Sequence, residues 1–389
     1  PKEEERREKL AEAKKNRDAA VSILRGISIR MPLLIYGAEL NKNLDGTDNE
    51  DELTIDNFTK LVDDISWTEF MPNGVTKDKF NSFKKYYDPD VFHAAGKRIR
   101  EMAKAADNFS IEERIERIST IFNTFRNPDK ETVLTPWRVV NMHMTDCLGG
   151  WRFYDEKYEN TISEPIFVEH DDVTKNVYKK NSKILEINSK SGLYALYCAY
   201  SIFKTRAKLE LGPKPTREME KDLWAKVLNE NIYVICKTPM AKSITRRTLS
   251  GFTGAKINAH SFDDLVMQLK DKPDNFISKV LKPSFWKKEG TEKMKFDAIV
   301  GNPPYQEMDG GAGTSAGAVY NLFVENGKKI NPNYISMIMP ARWYAGGKGL
   351  DDFRTSMLND KKLKFLVDFP NCNDLFPTVD IAGGLCYFL

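Results

Sequence analysis

The sequence predicts an α/β fold in which a doubly wound, parallel-rich sheet follows a helical domain. Three observations predict it. Ile111, Ile115, Ile118, Phe122 and Phe125 recur at helical spacing in the front third. Past residue 130, short apolar runs alternate with helical stretches, the rhythm of strands joined by crossover helices. Seven of those runs have strand length, near 183–187, 231–235, 254–258, 296–300, 333–339, 363–369 and 384–389.

Taken in order, residues 2–25 read as a charged helix with sparse apolar positions at Leu10, Ala13, Val21 and Leu24. Residues 26–36 are apolar and β-branched, interrupted by Pro32. Residues 41–52 form an acidic polar loop that lacks the ligand spacing of a calcium site. From about 55 to 125 the pattern is helical, and Ser110-Ile-Glu-Glu113 is a capping box. Asn127-Pro128-Asp129 breaks the pattern. The boundary therefore falls at 130, with a helical N-terminal or coupling domain over 1–130 and a second domain over 131–389.

Composition narrows the functional classes. The chain has 389 residues, 41% hydrophobic and 30% charged, with a net charge of +3. That is an ordinary globular balance, so any surface for nucleic acid must be local. Cys147, Cys198, Cys236, Cys372 and Cys386 are scattered, odd in number and without CxxC spacing. They read as reduced thiols of a cytoplasmic protein, with no metal site. The apolar runs are strand-length, which argues against a membrane partner. Residues 2–18 are almost wholly charged or small, unlike a signal peptide. The chain stops inside the apolar run 385–389 and reads as a fragment of something longer.

Chemistry concentrates in Phe296-Asp-Ala-Ile-Val-Gly-Asn-Pro-Pro-Tyr-Gln306. A strand ends at Val300 and Gly301, and Asn302-Pro303-Pro304-Tyr305 follow at once. Open α/β sheets hold ligands at this edge. The residue types suit capture of an aromatic amine, whose lone pair is delocalised into its ring. The Asn302 side-chain carbonyl and the Pro303 backbone carbonyl supply one acceptor for each N–H, leaving the lone pair aimed at an electrophile. Asn302 and Pro303 both precede a proline, which holds them extended and fixes the direction of those carbonyls. Tyr305 offers a flat face, and base stacking of this kind is worth about 1–3 kcal/mol. No general base is required, because the nitrogen attacks first and loses its proton afterwards. A plain Pro-Pro turn is the minority reading of the four residues alone, and the strand before them weighs further against it.

The tetrad, after a Phe-Asp-initiated strand, resembles the catalytic motif of amino-group methyltransferases. Asn in first place is similar to the enzymes acting on adenine N6 rather than cytosine N4. The resemblance runs from about Val133 to the end. It implies a seven-stranded S-adenosylmethionine-dependent methyltransferase (Rossmann-like) core with Asn302, Pro303, Pro304 and Tyr305 as catalytic residues. Thr135-Pro136 reads as a helix start, with Thr135 as N-cap and Pro136 as first helical residue. It resembles the Thr-Pro motif of γ-order enzymes, whose helix holds the methionine end of the cofactor. Residues 183–192 are similar to the first cofactor loop. Glu186 would contact the cofactor's amino-acid portion, Asn188 in the turn would also bind the cofactor, and Gly192 would allow close backbone approach. The sequence departs from the family at Lys190, where the first glycine is usual. It departs again at Cys236 and Lys237, where an acidic residue usually grips the ribose hydroxyls. Asp263, after the third strand, is the candidate for the cofactor's adenine.

The remaining features follow from the same resemblance. Residues 309–317 form a glycine-rich loop long enough to cover a nucleotide, and they lack a Walker pattern. Tyr320 and Phe323 read as core residues of the next helix. Residues 340–347 are similar to target-pocket loops, in which Trp343 or Tyr344 supplies the second face of a base sandwich. Lys242, Arg246 and Arg247 read as a solvated basic helix face. The motif order is the γ arrangement of type I and type IIG restriction–modification methylases. That implies double-stranded DNA as substrate, and fused or associated helicase, nuclease and target-recognition domains as partners. Two rivals stay open. One is a different amino substrate, a protein glutamine or RNA. The other is a non-catalytic DNA-binding or coupling module, to which Lys190 and Cys236 point.

Overall fold

A computed structural model of the chain describes residues 2–126, 134–306, 317–377, 379 and 381–389. The 127–129 boundary and residues 309–316 of the glycine-rich loop lie outside the described residues.

The front of the chain is helical. Lys2–Ser28 forms one long helix whose Leu10 and Val21 stay exposed. The stretch interrupted by Pro32 is also helical, over Met31–Gly37, because Pro32 sits in the first turn where a missing N–H costs nothing. Leu10–Gly37 is, among the described residues, one segment long and apolar enough to cross a membrane by length and composition. In this fold its second half is core: Leu33, Leu34, Ile35 and Tyr36 are buried, and the Gly37 carbonyl accepts from the Ser243 hydroxyl at 2.7 Å. Half of the capping box forms: Ser110 Oγ accepts from the Glu113 amide at 3.2 Å, while the Glu113 carboxylate accepts from Arg117 at 2.9 Å. The helix it opens, Ile111–Thr124, buries Ile111, Ile115, Ile118 and Phe122.

A hairpin that the sequence pattern did not predict, β1 (Gly150–Tyr154) and β2 (Thr161–Val168), comes before the main sheet. The sheet then takes β3 (Ile184–Ser189), β4 (Ile232–Cys236), β5 (Asn258–Ser261), β6 (Ala298–Gly301), β7 (Tyr334–Pro340), β8 (Leu366–Phe369) and β9 (Leu385–Phe388). Spatial order is β5-β4-β3-β6-β7-β9-β8. The first five are parallel, and β9 runs antiparallel to both its neighbours. This is the seven-stranded, mostly parallel sheet expected of the methyltransferase core. The third strand lies later than its predicted 254–258, since residues 251–254 form a turn with positive φ at Gly251 and Gly254.

Both faces of the sheet are covered, which is why its strands read as continuous apolar runs. Ile184, Ile232, Val234, Ala298 and Val300 enter one apolar cluster. Leu185, Ile187, Tyr233, Ile235 and Ile299 enter a second on the opposite face. The front helices belong to the first cluster and pack on the helices that cover that face of the sheet, Pro239–Ser250 among them.

Candidate active site

The chain leaves β3 towards one side of the sheet and returns at β6 on the other, so the crevice between their carboxyl ends is the topological switch point. The two strands close tightly there. A Cβ on Gly301 would meet the Ile187 carbonyl oxygen at 2.5 Å, so only glycine lets β6 finish against β3. The next residue, Asn302, then stands beside the end of β3. Its backbone carbonyl accepts from Asn188 Nδ2 at 2.9 Å, and Asn188 itself takes a left-handed turn at φ 66.

The Asn302 side chain has two different ends. Its amide nitrogen donates to Thr135 Oγ1 at 3.0 Å, while its Oδ1 is buried with no hydrogen-bond partner. Asn188 Oδ1 is a second buried acceptor without a partner. Buried polar atoms of this kind are costly, by about 1–3 kcal/mol, unless a ligand satisfies them. Two orphaned acceptors side by side at the switch point suit a ligand rich in N–H groups.

Thr135 is placed differently from its predicted capping role. The helix is Trp137–Leu148, its N-cap is Pro136, and no side chain caps it. The Thr135 hydroxyl is turned to Asn302 instead, so the Thr-Pro segment and the tetrad meet through one hydrogen bond.

Glu186 is buried, with one carboxylate oxygen accepting from the Ala195 amide at 2.9 Å in the first turn of Leu193–Glu210. Burial pushes its carboxyl up to about 7, against the pull of Ala195 and Ser189. A desolvated carboxylate of this kind favours a cationic partner. Gly192 has φ +78, and a Cβ there would meet Thr245 at 3.1 Å. Its close approach is therefore to the helix Pro239–Ser250. The loop compensates for Lys190 with serines: Ser189 Oγ accepts from the Gly192 amide at 3.1 Å and Ser191 Oγ from the Leu193 amide at 3.3 Å.

At the end of β4 Cys236 is buried, and the nearby carboxylates of Glu186 and Glu69 help burial raise its thiol pKa. Glu69 was not expected from the sequence. It belongs to the helix Asp64–Phe70 of the front half and is hydrogen-bonded by the Thr238 hydroxyl, two residues past the strand. An acidic group thus reaches the end of β4 from the wrong part of the sequence to be found by motif. Asp263 is exposed, two residues beyond β5 at the same sheet edge.

The aromatic expectations are corrected in part. Tyr305 is only 8% exposed: its ring lies in the apolar cluster and its hydroxyl lies beside the Asn302 amide, so the expected open face is covered in this conformation. Trp343 is 1% exposed, packed on Tyr344 and Phe353 with its Nε1 towards Cys386 Sγ at 3.4 Å, and has no face for a base. Tyr344 is half-buried and keeps the second position open to it. Tyr320 and Phe323 are core, as expected. The basic cluster is only in part a solvated face: Arg246 is exposed and Lys242 half-buried, but Arg247 turns inward. Arg247 is buried, stacks on Phe252 at 3.7 Å and donates to the Ala38 carbonyl at 3.1 Å, and Arg246 pairs with Glu39. Among the described residues no group of three His, Cys, Asp or Glu side chains is arranged for a metal ion.

The sequence also gave no sign of a buried polar chain behind Thr135. His143 Nδ1 and the Tyr194 hydroxyl are 2.8 Å apart, and His143 Nε2 and Ser336 Oγ are 2.8 Å apart. Helical spacing alone could have placed His143 on a buried face, but not opposite Ser336.

Residues 230–376 match the Eco57I restriction-modification methylase family. The chain is 37% identical over 99 residues to an uncharacterized adenine-specific methylase of Mycoplasma pneumoniae, covering 25% of this chain and 24% of that protein. It thus spans about a quarter of the length of that curated relative. A modification subunit of a putative type I restriction enzyme from Vibrio vulnificus is 13% identical, with a TM-score of 0.44 over 91% of this chain and 64% of that one. The DrdV–DNA complex is 14% identical, with a TM-score of 0.43 over 97% of this chain and 40% of that one.

Proposed function

We propose that this chain, whose residues 230–376 carry a domain of the restriction-modification methylase family, is the catalytic part of a DNA adenine-N6 methyltransferase. The observation that carries the reading is the buried, partnerless Oδ1 of Asn302 at the switch point of the sheet. In duplex DNA the target adenine is rotated out of the stack, at a cost of a few kcal/mol. Asn302 Oδ1 and the Pro303 carbonyl accept from its two amino hydrogens, which turns the nitrogen lone pair outward. Pro304 keeps the Pro303 carbonyl in an extended segment. Tyr305 supplies one face of the base pocket once its ring is uncovered, and Tyr344 the other.

S-adenosylmethionine, when bound, supplies an electrophilic methyl on a sulfonium. The side chains present suit its cationic and hydroxyl groups. Glu186 would hold its amino-acid portion, Asn188 would offer an acceptor beside it, and Gly192 and Thr135 would shape that end of the crevice. Glu69 stands in for the acidic residue that the end of β4 lacks, and Asp263 is the group for the adenine ring. In this reading residues 1–130 are a helical coupling domain and 131–389 the catalytic domain. The protein acts in the cytoplasm, with target-recognition, helicase or nuclease domains fused or associated.

The test is transfer of labelled methyl from S-adenosylmethionine to DNA, with N6-methyladenine identified after digestion. The wild-type chain labels adenine, and Asn302→Ala abolishes labelling while its circular dichroism and melting stay unchanged. Near-normal transfer by Asn302→Ala overturns the mechanism. The rival coupling module has one observation in its favour: the amides of Gly192, Leu193 and Ala195, at the start of Leu193–Glu210, are already taken by Ser189, Ser191 and Glu186. Calorimetric titration with S-adenosylmethionine separates the two, because a coupling module shows no binding.

A further inference from the structure

We propose that Thr135, Tyr194, His143 and Ser336 are positioning residues, a one-way hydrogen-bond relay that fixes which end of the Asn302 amide faces the crevice. The inference rests on the reading of Asn302 as the acceptor of the target amine. An asparagine side chain has a donor and an acceptor end of nearly the same shape, and only its partners decide between them. Turned the wrong way, Asn302 would present N–H to N–H and repel the amine.

The direction of the relay is set at its far end. Ser336 Oγ lies 2.7 Å from the Phe388 backbone carbonyl, which can only accept, so the serine hydrogen is committed there. Ser336 Oγ must therefore accept from His143 Nε2–H, 2.8 Å away. With its proton on Nε2, the neutral ring has an acceptor at Nδ1, which takes the Tyr194 hydroxyl hydrogen at 2.8 Å. The Tyr194 oxygen is left to accept, and the neighbouring Thr135 hydroxyl is the donor the relay assigns to it. Its single hydrogen spent, Thr135 Oγ1 can only accept from Asn302, so the group at 3.0 Å is the amide nitrogen. Asn302 Oδ1 then points away from Thr135, where it has no protein partner.

The surroundings keep the relay from reversing. His143 is stacked on Tyr387 at 4.6 Å and meets the Tyr194 ring edge-on at 5.4 Å, so the imidazole cannot flip without repacking. Burial pushes its pKa down to about 3, so the ring stays neutral with one donor and one acceptor. The nearby Asp146 is engaged by the Tyr387 hydroxyl.

Two measurements on the 389-residue chain test this. The first is the tautomer of His143, one of four histidines, read from two-bond 1H–15N correlations after 15N-histidine labelling. The expected result is the Nε2–H form from pH 5 to 8. An Nδ1–H form reverses the relay and overturns the inference, whether or not the chain methylates DNA. The second is steady-state kinetics. Tyr194→Phe and Thr135→Val each lower kcat about tenfold while the KM for DNA stays within about twofold, Tyr194→Phe also leaves the Kd for S-adenosylmethionine within about twofold, and Thr135→Ser restores kcat. Should Tyr194→Phe fail to fold, the Thr135 pair carries this arm alone. Unchanged kcat in Thr135→Val, or a loss confined to cofactor affinity, overturns the relay. Absence of methyl transfer in the wild type refutes the proposed function instead, and leaves the tautomer as the deciding result.

Discussion

Glu186 holds a carboxylate where water cannot reach it, and that has a consequence with a definite sign. Its folded pKa of about 7 lies above the ordinary value of 4.5. Between those two values the folded state keeps a proton that the unfolded state releases. Its contribution to stability is therefore full below about pH 4.5 and is lost as pH rises towards 7, by about 3 kcal/mol in all. A cationic cofactor reverses the balance by favouring the ionised form. The affinity for S-adenosylmethionine should rise about tenfold from pH 6 to pH 8. Glu186→Gln should abolish both slopes, as calorimetry and thermal melts at several pH values would read. On the proposed stacking role the ring of Tyr305 is the part that acts, so Tyr305→Phe should change kcat less than about threefold and Tyr305→Ala should lower it at least tenfold. Equal effects would argue against stacking.

The loop after β7 shows how an element can carry a plausible motif and still use it for packing. Ala341 and Trp343 are buried within a short 3-10 turn, and Trp343 fills space between Tyr344 and Phe353. Trp343→Ala should cost about 3–5 kcal/mol in urea unfolding, because it leaves a cavity where a large ring was. Trp343→Phe should retain kcat. A Trp343→Phe enzyme of unchanged stability and collapsed activity would return the residue to the base pocket. The glycine-poor loop after β3 makes a related point. Two serine hydroxyls hold amides that a run of glycines would leave open to a ligand.

Across the whole molecule the front helices and the sheet behave as one body of packing. Arg114, on Ile111–Thr124, pairs with Asp107 at 2.8 Å and donates to the carbonyls of Thr248 at 2.9 Å and Arg247 at 3.2 Å. Asp107 in turn accepts from the Phe252 amide at 2.7 Å. Removing the guanidinium strands a nearly buried carboxylate, so Arg114→Ala should destabilise by about 3–5 kcal/mol. Because one apolar cluster spans both halves, the loss should appear as a single shifted transition seen alike by far-ultraviolet dichroism and tryptophan fluorescence. Two separated transitions would show that the halves fold independently. Glu69 joins the halves chemically as well. Glu69→Gln should weaken S-adenosylmethionine binding about tenfold, and unchanged affinity would remove the front half from the cofactor site.

Periodicity and motif carried the sequence a long way. The strands at 184–189, 232–236 and 298–301 were legible because strands buried on both faces must be continuously apolar. The tetrad at 302–305 was legible because a strand ending at Gly301 puts it at the ligand edge of a sheet. Capping at Ser110 was legible because it depends on residues three apart. Everything that depends on distant neighbours was decided by tertiary structure. Glu69 lies 169 residues from Thr238, and His143 lies 193 from Ser336, so no local pattern links them. The same holds for Thr135, drawn from its predicted cap to an amide 167 residues away. Trp343 and Arg247 looked available because hydropathy reports what a residue prefers, while burial reports what its neighbours leave it. Sequence showed where most strands of the main sheet lie along the chain and which polar residues follow them, and three-dimensional packing chose which side chains meet at the crevice, since those contacts form only after the chain has closed on itself.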